Sequence, residues 1–419
     1  MIETSTKYLN KSIAKIYQNV NPTELYGKWN ALIAFNHDGD LLGYEKAHDG
    51  DFFPESFDDY IERIRRSIKN RKTGIDDISF PVRVDIDITQ KCNSNCTFCF
   101  SKKYQNKLYS NQWISKEDLD RLLKSLSKSG VKSVRYCGGG EPLLHPDIKE
   151  ILKLPKKYDL LLSLITNGDY LDDELTKLIA KYVNKLHWSV NAATDQLRQK
   201  IHRPLVPVNS LSQTIDYVHS ILTLRKIKKL PMVWASYLII PESIHEIVPA
   251  TKMLKRIGVD SVSFRPVNHG LHSDWSKPQL EQLQIIMNRI KEHEDSSFLV
   301  FTPKRNILES SKLKPDHFFK KCISRNLRTI IEPGLDGLFI QNCGLYRGTG
   351  NQCGLKISDV NDFSAIWNSF QSKLNPVKAP FNCDHCIDIS MNTSLNFIEK
   401  VLLQDDNATF YCARIENFD

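Results

Sequence analysis

The chain has 419 residues, 41% hydrophobic and 25% charged, and its 57 Lys and Arg against 49 Asp and Glu give a formal net charge of +8. This is a globular composition, too long for a small disulfide-stapled scaffold and too rich in apolar residues for a disordered chain. Apolar runs such as 160–162 and 237–240 fall far short of the roughly 18 residues a membrane-spanning helix needs. Residues 1–17 scatter Lys7, Lys11 and Lys15 through a polar stretch without a signal-peptide core, so the expected location is the cytoplasm, with no membrane partner. The basic runs 63–66 and 225–229 are short and read as solvated helix faces, which argues against nucleic acid as a partner.

Residues 1–80 read as an N-terminal extension of unassigned role, with a hairpin around Asp38-Gly39 joining 31–35 to 41–44 and a charged helix over 57–69. From residue 81 to 293 apolar runs alternate with helical periodicity, the pattern of repeated βα units. Val82, Val84, Ile86 and Ile88 alternate with Arg83, Asp85 and Asp87 to make the first strand. The next helix opens on Ser115 and Asp118, spaces Leu119, Leu122, Leu123 and Leu126 along one face, and stops at Gly130. Strands are expected at 131–136, 160–165, 185–190, 233–240 and 261–265, with helices at 171–182, 211–225, 243–257 and 278–293. Six such units occupy less chain than the roughly 250 residues of a closed eight-unit barrel. The expected fold class is α/β, an open partial (β/α)6 barrel. Residues 294–419 form a small cysteine-rich C-terminal domain, with a turn at Pro333-Gly334 to Gly337 and a hairpin ending at Cys343.

The ten cysteines are clustered: Cys92, Cys96 and Cys99 follow the first strand, Cys137 stands alone, and six lie between Cys322 and Cys412. In a reducing compartment such clusters bind metal or do redox chemistry more readily than they form disulfides. A [4Fe–4S] cluster ordinarily takes four cysteines, so three ligands leave one iron open to an external molecule. A zinc knuckle would need a fourth Cys or His close by, and Cys137 is the first such residue before His145. The second strand runs into Gly138-Gly139-Gly140-Glu141-Pro142, where glycines let a backbone approach a ligand and a strand-end carboxylate can accept from an ammonium group.

The Cx3Cx2C spacing of Cys92, Cys96 and Cys99, with Phe98 before the last cysteine and the Gly-Glu-Pro run of Gly139, Gly140, Glu141 and Pro142 after the next strand, resembles the radical SAM superfamily. That resemblance implies a [4Fe–4S] cluster that binds S-adenosylmethionine (SAM), one-electron reductive cleavage of SAM to methionine and a 5′-deoxyadenosyl radical, and hydrogen-atom abstraction from substrate. It implies that Asn167, Ser189, Asn191 and Arg203, all at or beyond consecutive strand ends, contact SAM. Tyr237, Arg265 and His269, at or beyond the ends of the fifth and sixth expected strands, either face the site or are structural. A flavodoxin- or ferredoxin-like electron donor is implied as partner, and an acidic one suits the chain's charge.

The set Cys322-x20-Cys343-x39-Cys383-x2-Cys386 resembles the auxiliary-cluster domains called Twitch or SPASM, which implies a second, auxiliary [4Fe–4S] cluster; zinc at the same four cysteines is the alternative. Cys353 and Cys412 are left over, as buried small hydrophobes or as hydrogen-atom donors to a substrate radical, and Cys137 reads as a packed strand residue. The substrate implied is a ribosomally made peptide that is epimerised, cross-linked or oxidised. The alternatives are dehydrogenation or dehydration of a sugar, aminocyclitol or nucleoside, and a non-catalytic iron–sulfur or zinc protein.

Overall fold

The computed structural model describes residues 31–36, 38, 40–46, 57–73, 80–99, 101, 111–225, 230–267, 275–302, 323, 327–341, 355–373 and 389–413. Among these no helix is long and apolar enough to cross a membrane. The chain divides into two compact units, 1–79 with 321–324 and 388–419, and 80–320 with 325–387.

In the first unit β1 (Ala31–Phe35) pairs antiparallel with β2 (Leu41–Lys46) on one side and with strand Thr409–Ala413 on the other. The helix Phe57–Thr73 buries Tyr60, Ile61, Ile64 and Ile68, an i, i+4, i+8 stripe with one neighbour, and packs with helix Ile389–Gln404, which buries Leu395, Ile398, Val401 and Leu402. One break in this division falls between residues 79 and 80, beside the expected boundary at 80, and none falls at 294. The last 32 residues join the first 79 because Thr409–Ala413 completes a sheet with β1, a non-local pairing with no local signature. Cys412 stands in that strand, with its backbone opposite Leu32.

The second unit is built on a ten-stranded sheet. Its centre runs in sequence order and in parallel: β3 (Arg83–Asp87), β4 (Ser133–Cys137), β5 (Leu161–Thr166), β6 (Lys185–Ser189), β7 (Met232–Ile239), β8 (Ser261–Pro266) and β9 (Leu299–Phe301). On the other side of β3, β10 (Arg328–Gly334) pairs in parallel and carries the antiparallel β11 (Gly337–Gln341) and β12 (Leu355–Lys356). The sheet ends on β9 and β12 and is not closed. The six expected strands are present. β10 and β11, expected in a separate C-terminal domain, extend the barrel sheet instead.

The period-2 pattern of each strand separates two chemistries. Val84, Ile86, Val134, Tyr136, Leu162, Leu164, Leu186, Trp188, Val233, Ala235, Val262 and Phe264 face the helices in one buried core. The helix Lys116–Lys128 covers part of it as expected: Ser115 accepts from the Asp118 amide at 3.1 Å, and Leu119, Leu122, Leu123 and Leu126 are buried. Burying each leucine is worth about 1.5–3 kcal/mol relative to exposure. The alternate residues Arg83, Asp85, Asp87, Arg135, Cys137, Ser163, Lys185, His187, Trp234 and Ser263 line the opposite face of the sheet. Tyr237 has the parity of the helix-facing set: it is fully buried against Phe264 at 5.3 Å, and its hydroxyl donates to the Ser243 carbonyl at 3.2 Å. It is a core residue and does not face the site.

Candidate active site at the strand ends

The cysteine loop leaves β3 and is pinned along its length by main-chain bonds. A helix leaves its last carbonyls without partners of its own, and here the loop supplies them. The Thr97 amide donates to the Ile201 carbonyl at 2.9 Å, and the Asn95 amide reaches the carbonyls of His202 and Arg203, both at 3.0 Å. These carbonyls belong to the end of helix Asp195–His202. The Leu205 amide returns a bond to the Asn93 carbonyl at 2.7 Å, and Cys99 N–H closes on Cys96 C=O at 3.2 Å. Phe98 is buried with Ala192, Leu197, Ile201 and Ile240, edge-on to the His202 ring at 5.6 Å, so it anchors the loop in an apolar cluster. Cys92, Cys96 and Cys99 are half-buried and not joined in a disulfide.

The glycine run packs against this loop. Gly140 N–H donates to Thr89 C=O at 3.1 Å and Glu141 N–H to Lys91 C=O at 2.8 Å. A Cβ on Gly140 would lie 2.1 Å from the Lys91 oxygen, and one on Gly139 1.6 Å from Gln90 Oε1. Gly140 thus admits the backbone leading into the cysteine loop, and Gly139 admits the Gln90 side chain.

Beneath the loop lies a buried hydrogen-bonded web. Glu141 Oε1 accepts from the Leu143 amide (3.1 Å) and the Thr166 hydroxyl (2.6 Å), and Oε2 accepts from the Asn167 amide (2.9 Å). Burial raises its carboxyl pKa, and those three bonds pull against the rise. Pro142 starts the buried turn that follows. Asn167 Nδ2 donates to Asn93 Oδ1 at 2.9 Å, Asn93 Nδ2 donates to Asp169 Oδ2 at 2.6 Å, and Asp169 pairs with the buried Arg198, whose Nη1 reaches the Asn209 carbonyl at 2.9 Å. Burial brings the Arg198 pKa down to about 10.

Asn191, at φ +43°, spends its amide inside the protein: Oδ1 accepts from the Leu238 amide at 2.7 Å and Nδ2 donates to His202 Nε2 at 3.3 Å. His202 Nε2 is thus the acceptor, and the proton sits on Nδ1, a buried atom without a partner. Burial, then the Arg198 charge, lowers the His202 pKa to about 3, so the ring is neutral. Asn93, Asp169, Arg198 and His202 were not singled out in the sequence. Asn93 stands between two of the cysteines and Asp169 directly follows Thr166-Asn167-Gly168, which is the available signal. Ser189 is half-buried at the end of β6, and Arg203 is exposed at φ +48° as the helix C-cap.

The polar face of the sheet continues from this rim. Asp85, fully buried, takes Arg83 (3.3 Å), Arg328 (Nη2 at 2.6 Å) and Arg135. Lys185 lies over the Trp234 ring at 4.4 Å and His187 stacks on it at 5.3 Å. Burial, and then the cations Lys185, Arg135, Arg265 and Arg83, hold the His187 pKa well below its usual value. Arg265 is exposed, with its Nε donating to Ser263 Oγ at 3.1 Å. Cys137 opens onto this polar face, 3.5 Å from Asp87 Oδ1, and not into the helix-facing core. Cys322, Cys343, Cys353, Cys383, Cys386 and His269 lie outside the described residues. Cys412 has a described backbone only.

Among the described residues no three Cys, His, Asp or Glu side chains already close on one point as metal ligands. The donor set still fits an iron–sulfur cluster: three half-buried thiols on one loop whose backbone is fixed from two sides. Residues 86–254, from β3 through most of the helix Ile247–Ile257, match the Radical SAM superfamily. This segment is a radical SAM domain. GTP 3',8-cyclase of Aquifex aeolicus (strain VF5) is 27% identical over 222 residues, 52% of this chain and 67% of that protein. A probable GTP 3',8-cyclase of Thermococcus kodakarensis is 34% identical over 131 residues, 31% of this chain and 40% of that protein. The chain thus spans between 40% and 67% of these two curated relatives, which are enzymes. Crystal structures of Streptococcus suis SuiB share the fold of the radical SAM domain. With S-adenosylmethionine bound, the TM-score is 0.53 at 17% identity over 73% of this chain and 70% of that one. With precursor peptide SuiA bound, it is 0.54 at 16% over 87% and 78%.

Proposed function

We propose that the chain holds a [4Fe–4S] cluster through Cys92, Cys96 and Cys99, cleaves SAM reductively, and abstracts a hydrogen atom from a ribosomally made peptide. The observation that carries the reading is the cysteine loop laid on the Gly-Glu-Pro segment at adjacent strand ends, with Gly140 and Glu141 bonded to Thr89 and Lys91. A cluster with three protein ligands supplies an open iron for SAM and the electron that breaks its carbon–sulfur bond.

The protein's own part is placement. Phe98, Gly139, Gly140, Glu141, Pro142, Asn167 and Asn191 act as a frame, since they are engaged with the loop, with neighbouring strand ends or, for Asn191, with Leu238 and His202. Ser189 and Arg203 are the side chains left to meet the ribose and the methionine carboxylate. The buried neutral His187 and the ion cluster on Asp85 form the floor on which substrate rests. Cys322, Cys343, Cys383 and Cys386 hold the auxiliary [4Fe–4S] cluster, and Cys353 and Cys412 are the candidate hydrogen-atom donors.

The peptide reading draws support from the fold shared with SuiB, whose structure binds precursor peptide SuiA. A second reading, a nucleotide or other small molecule, is favoured by the curated relatives named GTP 3',8-cyclase. Incubation with deuterated candidates separates the two: deuterium appears in 5′-deoxyadenosine with a peptide under the first reading. Transfer from GTP alone contradicts it.

A further inference from the structure

The face of the sheet opposite the helix-covered core is not uniform in charge. On β10, β3 and β4 it is balanced, with Arg328, Arg83 and Arg135 set against Glu332, Asp85 and Asp87, and Asp85 takes all three guanidinium groups. On β5 to β9 the same face carries Lys185 and Arg265 and, among the described residues of those strands, no carboxylate. Both cations meet on one ring: Lys185 Nζ lies 4.4 Å from the Trp234 ring centroid and the Arg265 guanidinium carbon 5.6 Å. The indole N–H of Trp234, a residue 1% exposed, has no hydrogen-bond partner in the structure. Two like charges gathered beside a buried donor are costly by themselves, and a bound anion offsets that cost. His187, stacked on the same ring, responds to this field: burial and then Lys185, Arg135, Arg265 and Arg83 keep it neutral.

Lys185 is buried, whereas Arg265 reaches the surface. Its Nε donates to Ser263 Oγ at 3.1 Å and Trp234 lies against its guanidinium, so the group is held from two sides. In the sheet register Ser189, Ser236 and Ser263 form one row across β6, β7 and β8, and Arg265 stands one step beyond that row toward the strand ends. Two strand spacings put it roughly 10 Å from Ser189, across the mouth of the barrel from the cysteine loop. We propose that Arg265 is the specificity-determining residue of the site and binds a carboxylate of the substrate, an acidic side chain of the peptide near the carbon that loses its hydrogen. This rests on the peptide reading above. A guanidinium matches one carboxylate in both planar shape and charge. A polyphosphate needs several accessible cations, and the other cation of β5 to β9, Lys185, is buried.

The test uses the full chain after iron–sulfur reconstitution, with SAM added. Phenylglyoxal, which modifies accessible arginines, is applied, and the modified residues are mapped by mass spectrometry. Arg265 reacts in the protein alone; N-acetylglutamate amide slows that reaction about fivefold, and N-acetylglutamine amide does not. In calorimetry the Kd for N-acetylglutamate amide rises about tenfold in Arg265→Gln and about threefold in Ser263→Ala. Arg265→Lys recovers only part of the loss, because an ammonium keeps the charge without the planar fork. Equal protection by the glutamine analogue, no protection at all, or an unchanged Kd in Arg265→Gln overturns the proposal. Stronger protection by inorganic triphosphate than by the carboxylate also overturns it, and assigns the residue to a phosphate. If the wild type fails to cleave SAM with dithionite while N-acetylglutamate amide still protects Arg265, the functional reading falls and the carboxylate site stands.

Discussion

The two buried sides of the parallel sheet are stabilised in different ways. Between the sheet and its helices, Leu162, Leu186 and Val233 of the strands and Leu119 and Leu122 of helix Lys116–Lys128 make a non-directional apolar core in which any one side chain is held by many neighbours. At the strand ends and on the opposite face, Glu141, Asn167, Asn93, Asp169 and Arg198 each have named partners, in single file from β4 to helix Asp195–His202. The first arrangement supplies stability, and the second fixes one position of the cysteine loop. A core tolerates a volume-conserving exchange, whereas a polar web that loses one member strands the others in low dielectric.

That contrast is open to attack. Arg198→Met leaves Asp169 buried and uncompensated, and the expected loss is about 3–5 kcal/mol in denaturant unfolding. Pairing it with Asp169→Leu recovers much of the loss. If the double variant is no better than the single, the ion pair is not what links the web. Leu122→Ala should cost about 2–4 kcal/mol through the cavity it leaves, with the surviving folded protein keeping its affinity for SAM. A drop in that affinity would show that core and web are not separate.

The smallest effect concerns pH. His202 has a folded pKa of about 3 against an ordinary 6.5. The unfolded chain therefore binds its proton first, and stability is full above pH 6.5 and falls as pH drops from there toward 3, by about 1.4 kcal/mol per unit. In His202→Gln that share of the slope disappears, which thermal unfolding of the apoprotein between pH 7 and 5 would detect. An identical slope in the variant would mean that the imidazole is not buried neutral.

How far each side could be read in advance follows from the same contrast. Periodicity reveals the core: Val84 and Ile86 alternate with Asp85 and Asp87, and the leucines of Lys116–Lys128 recur every three or four residues. Short motifs reveal the cysteine loop and the glycine run. The web has neither signal, because Asn93 and Asp169 are 76 positions apart and meet only once the strands are side by side. In β7 the run Val233 to Ile239 is apolar on both faces apart from Ser236, so parity was unreadable and Tyr237 could be placed only by the structure. β9 is three residues long, too short for a pattern, and β10 joins β3 across more than 240 positions.

The central claim is that the pinned loop of Cys92, Cys96 and Cys99 is where SAM is opened. Its most direct test is the 5′-deoxyadenosine formed after anaerobic iron–sulfur reconstitution, with SAM and dithionite, by the wild type and by the variant with all three cysteines changed to Ala. The account predicts product from the wild type and none from the variant, with iron lost only in the amount of one cluster. Product formed equally by both, or by neither, contradicts it.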